Sequence, residues 1–238
     1  MVAVNKSGVL TLPRDPRVSA GKTGHVSITV PSHPGVSADL DIPLRYNYAF
    51  ASNYAGSSGS DGTSGTDGIN GTSGTMGSMD PDNPSPGGNG GDGINGSDAG
   101  NGGDGGGGPA VHVEVALQPG SQPLLQIGVM AAGHKERFYL VDPQGGSLTV
   151  TSAGGAGGSG GKGGRGGSGG SGGLGTPSGS DGSSGSNGSD GRDGSSGNGG
   201  AVTVRYDDKV KPYLAAIRVS NPGGPKPVFE DATIAPLW

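Results

Sequence analysis

Two different periods run through this chain. In residues 25–55, 109–153 and 201–238, apolar residues recur at every second position in short runs. HVSITV at 25–30 sets Val26, Ile28 and Val30 on one face. VHVEVAL at 111–117 sets Val111, Val113, Val115 and Leu117 opposite His112 and Glu114, the pattern of strands with one buried face. Further strand candidates are DIPLRYNYAF at 41–50, LLQIGVM at 124–130, RFYLV at 137–141, SLTV at 147–150, VTVRY at 202–206, YLAAIRV at 213–219 and VFEDATI at 228–234. PSHPG, QPGSQP, AAGH, DPQGG, DDKVKP and NPGGPKP separate them as turns. About nine such strands with no helical period predict a mainly β fold, an antiparallel β-sandwich. Residues 1–24, with Pro13 and Pro16, read as an N-terminal extended arm, and the final IAPLW reads the same way.

The second period is three, and it fills the two segments between these runs. Gly stands at every third position from Gly56 to Gly77, and again from Gly87 to Gly108 with Ala99 as the one replacement. Gly-Gly-X triplets run without interruption from Gly154 to Leu174, and a last string holds phase from Gly179 to Gly200. SMDPDNPSP at 78–86 and GTPS at 175–178 break the strings with Pro, where a chain reverses. A flexible Gly/Ser linker has no reason to hold a phase, whereas a helix of three residues per turn must. Collagen shares the period but fills it with Pro, and the regular triplets here contain none.

The pattern therefore predicts four left-handed polyglycine-II helices of the PPII type. At about 3.1 Å per residue, eight triplets span roughly 70 Å. Such helices have no internal hydrogen bonds, so their backbone N–H and C=O groups must pair with neighbours, and Gly is needed wherever two backbones touch. String three carries two Gly in every triplet and string two in most of its triplets, while strings one and four carry one. The expected arrangement is a rhombus with two and three on the short diagonal. In string three, Gly154, Gly155, Gly157, Gly158, Gly160, Gly161, Gly163 and Gly164 are the bundle-packing positions. Asn89, Asp92, Asn95, Asp98, Asn101 and Asp104 of string two, and Lys162 and Arg165 of string three, read as exposed rows. The whole expectation is an antiparallel β-sandwich (25–55, 109–153, 201–238) with two inserted Gly-rich hairpins (56–108, 154–200) that form a four-helix polyglycine-II bundle.

Composition sharpens this division. The two inserts hold 45 of the 56 Gly and none of the Phe, Tyr or Trp, so the only side-chain core lies outside them. The absence of Cys removes disulfides, thiolate zinc sites and thiol catalysis. Net charge is −5 and the 15 basic residues form no run, which argues against nucleic acid as a partner. No segment reaches the roughly 20 apolar residues of a membrane helix, so no membrane insertion is expected. MVAVNKSGVLTL lacks the layout of a classical signal peptide.

The strings GSSGSDGTSGTDGINGTSG and GGAGGSGGKGGRGGSGGSGG resemble polyglycine-II bundle proteins, namely springtail antifreeze proteins and the glycine-rich tip adhesins of phage tail fibres. The resemblance is one of repeat type over the Gly-rich residues and implies a fold rather than a site. This chain lacks the springtail disulfides and inserts its strings into a β domain, so no family site residue carries over.

Motifs of catalysis are weak. AGKTG at 20–24 resembles the end of a phosphate loop but has Pro16 where the first Gly belongs. Gly157-Gly158-Ser159-Gly160-Gly161 spells a nucleophile elbow that any Gly/Ser repeat produces. GGNGGDGIN at 87–95 matches one calcium nonapeptide, but GSDAGNGGD after it breaks the tandem copy such a site requires. His25, His33, His112 and His134 have no ligand spacing. We expect no catalytic, cofactor-binding or metal residues, and a protein that is not an enzyme.

The two reversals hold the remaining candidates: Met76, Met79, Asp80, Asp82 and Asn83 at one, Leu174, Thr176 and Pro177 at the other. Equal string lengths place both at one distal end. There they either recognise a target or cap the rod, with Met76, Met79 and Leu174 as the apolar cap. The expected function is a self-assembling structural subunit of an extracellular filament, fibre or matrix, whose partners are copies of itself. The alternative is a receptor-binding adhesin, of virion or cell surface, that uses the reversal loops on a cell-surface receptor. A second alternative is ice binding through Thr63, Thr66, Thr72 and Thr75 of string one.

Overall fold

A computed structural model describes residues 3–4, 10–11 and 15–238. Strands predominate among these residues and helices are few, so the fold is β-rich. The chain divides into two compact units: residues 1–55, 108–153 and 198–238 form the first, and residues 56–107 and 154–197 the second.

The first unit begins with β1 (Ala3–Val4) and β2 (Leu10–Thr11), an antiparallel pair. The rest of the expected arm up to Thr11, and residues 12–14, lie outside the described residues. From Asp15 onward the arm is not extended. Pro16–Ser19 form a helical turn, α1, because Pro16 presets its first position and the Asp15 side chain accepts the Arg17 N–H. β3 (Thr23–Val30) and β4 (His33–Pro43) then pair antiparallel as an isolated two-stranded ribbon. The expectation that HVSITV belongs to the sandwich is thereby corrected, because the ribbon joins neither of the larger sheets.

Those sheets are built from β5 (Ala49–Ala55), β6 (Val111–Leu117), β7 (Leu125–Ala131), β8 (Arg137–Val141), β9 (Ser147–Ala153), β10 (Val202–Tyr206), β11 (Ile217–Ser220) and β12 (Val228–Asp231). One has the order β12-β10-β6-β7-β8 and the other the order β11-β9-β5. The antiparallel expectation holds only for β6-β7-β8; β5, β9 and β11 run parallel, and so do β6, β10 and β12. Parallel neighbours need long crossovers; an insert lies within the connections of β5 to β9, β6 to β10 and β9 to β11, while β10 reaches β12 through the 208–216 segment and β11. β5 enters the first insert from the three-stranded sheet and the chain returns as β6 of the five-stranded one; β9 and β10 repeat the move through the second insert.

Both sheets contribute to one core. Val111, Val113 and Val115 of β6, Ile127 of β7, Val204 of β10 and Leu148 and Val150 of β9 are fully buried in a single cluster. Each such side chain contributes roughly 1.5–3 kcal/mol relative to exposure. YLAAIRV is a strand only at its end. Asp208–Ala216 form a 3₁₀ helix, capped by Asp207 accepting the Lys209 N–H, and this helix inserts Val210 into the core. IAPLW is not a free arm either. The Gln126 amide, buried in β7, donates to the Trp238 carbonyl at 2.9 Å and accepts the Leu237 N–H at 2.8 Å, while Trp238 meets Phe138 edge to face at 5.8 Å. A lone Gln in an apolar run was the sequence signal for this tether, since a buried amide requires partners.

Candidate functional site

The second unit contains no strand or helix, so the partners of its backbone polar groups decide its structure. String one bonds to string two through Gly88 N–H to Thr75 O and its equivalents every three residues to Gly106 N–H to Ser57 O, at 2.7–2.9 Å. It bonds to string three from Gly59 N–H to Ala156 O through Gly77 N–H to Leu174 O. String two bonds to string four, from Gly90 N–H to Ser180 O onward, and string three to both two and four. No backbone bond links strings one and four among the described residues. Strings two and three, the richest in Gly, are thus the ones bonded to all three others.

The eight Gly positions of string three divide into two rows with different neighbours. A methyl added at Gly154, Gly157, Gly160 or Gly163 would overlap the carbonyl oxygens of Gly197, Gly194, Gly191 or Gly188 in string four. One added at Gly155, Gly158, Gly161 or Gly164 would overlap those of Ser57, Ser60, Thr63 or Thr66 in string one. These are backbone atoms with nowhere to move, so the absence of a Cβ is obligatory in both rows.

Side chains complete the network in a way the exposed-row reading missed. The Oδ1 atoms of Asn89, Asp92, Asn95, Asp98, Asn101 and Asp104 accept the N–H groups of Ser180, Ser183, Ser186, Ser189, Arg192 and Ser195 at 2.6–3.0 Å. Asp61, Asp67 and Asn70 of string one do the same for Ser159, Arg165 and Ser168 at 2.8–2.9 Å. Asp181, Asn187, Asp190 and Asp193 of string four accept from Gly172, Gly166, Gly163 and Gly160 at 2.7–2.9 Å. Three successive N–H groups of string three, on Gly158, Ser159 and Gly160, therefore go to a string-two carbonyl, a string-one carboxylate and a string-four carboxylate. The legible signal was the free exchange of Asn with Asp in these rows, because both place a carbonyl-type oxygen, Oδ1, two bonds beyond Cβ.

Lys162 adds an ion pair, with Nζ 2.7 Å from Asp190 Oδ2. That pairing, and then the Gly163 N–H, hold the Asp190 carboxyl below the ordinary aspartate range, while Asp190 raises Lys162.

At the reversals the two loops are bonded to each other. The Gly77 N–H donates to Leu174 O at 2.7 Å, Thr176 N–H to Ser85 O at 2.9 Å, and Gly87 N–H to Pro177 O at 2.9 Å. Within the longer loop, Asp80 Oδ1 accepts the Asp82 N–H at 2.9 Å and Asp80 O accepts the Asn83 N–H at 3.2 Å. The cap reading is corrected: Met76, Met79 and Leu174 are 75%, 62% and 54% exposed. Backbone bonds close this end, and the three apolar side chains stand in solvent beside exposed Asp80, Asp82, Asn83, Thr176 and Pro177.

The remaining motifs have other roles. Ala20–Lys22 join α1 to β3, which begins with Thr23 and Gly24, the reverse of the strand-to-helix order of a phosphate loop. Asp92 and Asn95 of the nonapeptide, and the Ser159 N–H, belong to the side-chain rows above. Glu114 pairs with Arg205 at 3.1 Å, and His134 meets Tyr54 edge to face at 5.0 Å. The string-one hydroxyl column is exposed, with Ile69 standing in it at 70% exposure and Thr66 bonded to Ser97. In the first unit, a cavity of 740 Å³ is lined by Phe50, Phe138, Tyr139, Leu44 and Arg17. Arg17 stacks 3.8 Å over the Phe138 ring and pairs with Asp15 at 2.7 Å, which lowers the Asp15 carboxyl pKa. No family model, curated protein or solved structure matches this chain.

The Lys162–Asp190 pair gives a pH signature. Because the folded-state pKa of Asp190 is depressed, its contribution is present above the unfolded aspartate value of about 3.9 and disappears as pH falls through the lower folded value. A Lys162→Met variant moves the Asp190 titration, followed by carboxyl NMR, upward. Its thermal midpoint lies slightly below that of the parent at pH 7, and the gap closes in acid; a gap that persists at the lowest pH contradicts the assignment.

Proposed function

We propose that this chain is a non-enzymatic structural protein, a self-assembling subunit of an extracellular filament, fibre or matrix. In this reading the first unit is a β-sandwich and the second a rod of four polyglycine-II helices. The observation that carries it is the cross-string network, in which backbone and side-chain acceptors alike repeat every three residues and join strings one to two and three, and four to two and three. Repeated rows of bonded backbone make a stiff spacer. The extracellular setting follows from the repeat type that the strings resemble.

A second reading, a receptor-binding adhesin, is favoured by one observation: Met76, Met79 and Leu174 are exposed together on mutually bonded loops. Adaptable apolar side chains of this kind suit a contact surface.

Two measurements test these readings. Gly164→Val drives a branched side chain into Thr66 O, and we expect a loss of about 3 kcal/mol or more in denaturant unfolding, whereas Arg165→Val at the neighbouring exposed position stays within about 0.5 kcal/mol. Equal effects of the two would argue against the helix bundle. Light scattering across a concentration series is expected to show association, and replacement of residues 79–85 by Gly/Ser to leave it intact. A strictly monomeric parent ends the assembly reading, and target capture lost on the same replacement selects the adhesin.

A further inference from the structure

The β3–β4 ribbon is amphipathic to an unusual degree. Its register places Val26 opposite Leu40 and Ile28 opposite Ala38, so that alternation gathers Val26, Ile28 and Val30 with Ala38, Leu40 and Ile42 on one face. Ile28 and Leu40 are each 58% exposed. The other face is polar and satisfies itself: His25 Nδ1 lies 2.8 Å from Asp41 Oδ1 and Nε2 3.6 Å from Asp39, which also accepts from Ser27. The carboxylates raise the His25 pKa, Asp41 first. A two-stranded hairpin is marginal in water on its own, and here its strands pair only with each other.

We propose that this apolar face is an interface with the same face of a second copy of the chain. Apart from His33, which lies opposite Val30 beyond a register shift, the paired residues of this face are apolar, so it demands no countercharge from a partner and is self-complementary about a two-fold axis. Eight residues of β3 extend about 26 Å, so a ribbon two strands wide has a face of about 260 Å², and stacking two covers about 500 Å² between them, the size of a weak contact that repetition along an assembly multiplies. The result is a four-stranded, two-layer joint with a dry interior and the His25–Asp41 faces outward. It rests on the self-assembly reading and names the contact that performs it.

The Cys-free chain allows a direct test. Leu40→Asp buries an unpaired carboxylate in the joint, and the apparent dimer Kd is expected to rise about 100-fold or more. Ile28→Cys is expected to be linked between copies by a bis-maleimide reagent that spans about 10 Å, the separation of stacked layers and beyond the reach of a disulfide, and Thr29→Cys on the polar face is not. The cysteine pair keeps the test informative if Leu40→Asp perturbs the ribbon itself. If the parent associates while Leu40→Asp associates equally and Ile28→Cys links no better than Thr29→Cys, the ribbon joint is wrong and self-assembly stands. A parent that is monomeric throughout overturns both.

A separate observation carries a second inference. Asn70, Asn89, Asn95, Asn101 and Asn187 each precede a Gly, the dipeptide in which the Gly nitrogen most readily attacks the Asn Cγ. That attack forms an N–C bond, expels ammonia and gives a succinimide, which water opens to Asp or isoaspartate. Here both reacting groups are held. The Asn89 Oδ1 accepts the Ser180 N–H while the Gly90 N–H donates to Ser180 O, and Asn95 with Gly96 grips Ser186 in the same way. The geometry points to a rod that suppresses its own chemical ageing, since ring closure requires both bonds to open at once. Peptide mass spectrometry after matched incubation of folded and denaturant-unfolded protein is expected to show deamidation at these Asn at least about 10-fold slower in the folded chain. Equal rates refute it.

Discussion

Everything in the second unit follows from backbone amides that have no partner within their own string. An α-helix or a β-strand in a sheet satisfies this requirement with a regular ladder; a string of triplets must find its acceptors on other strings. Gly is the means of approach, since Gly158 and Gly161 sit where any Cβ would strike a neighbouring carbonyl. Each close approach is unforgiving, and each leaves one direction in which no string lies near enough. Asp and Asn fill that direction with a side-chain carbonyl, so that Asp98 performs for Ser189 the task that a fifth string would otherwise perform.

The same pairing separations occur in both units. In the first, Ala49 pairs with Ser147 and Val111 with Val202. In the second, Asp61 bonds Ser159 at a separation of 98 and Asp104 bonds Ser195 at a separation of 91, the separations that those strand pairs also have. The parallel strands and the parallel strings are therefore two expressions of one register.

Much of this was legible before any coordinates. The Gly rows alone singled out strings two and three, and the alternation in VHVEVAL marked Val113 and Val115 for burial. Strand direction was not legible, because it depends on where a long insert returns the chain rather than on the strand's own residues. The ribbon misled for a related reason: HVSITV has the pattern of a half-buried strand, and periodicity says that a face is apolar without saying what covers it. The Asx rows were visible as polar residues at every third position, but solvent and a neighbouring N–H make the same demand on composition. YLAAIRV lost most of its strand to the Asp207 cap, a local hydrogen bond that the apolar run conceals.

Because the bonding scheme closes within each triplet, the rod is also a gauge. One triplet added to all four strings preserves every approach and every carboxylate row, and with the proposed helices it moves the reversal loops outward by about 9 Å. A triplet added to a single string displaces Asp against Gly along all that follows. Length in this protein is thus quantised and must change in matched sets, so that relatives of different reach would differ by whole multiples of twelve residues divided equally between the two inserts.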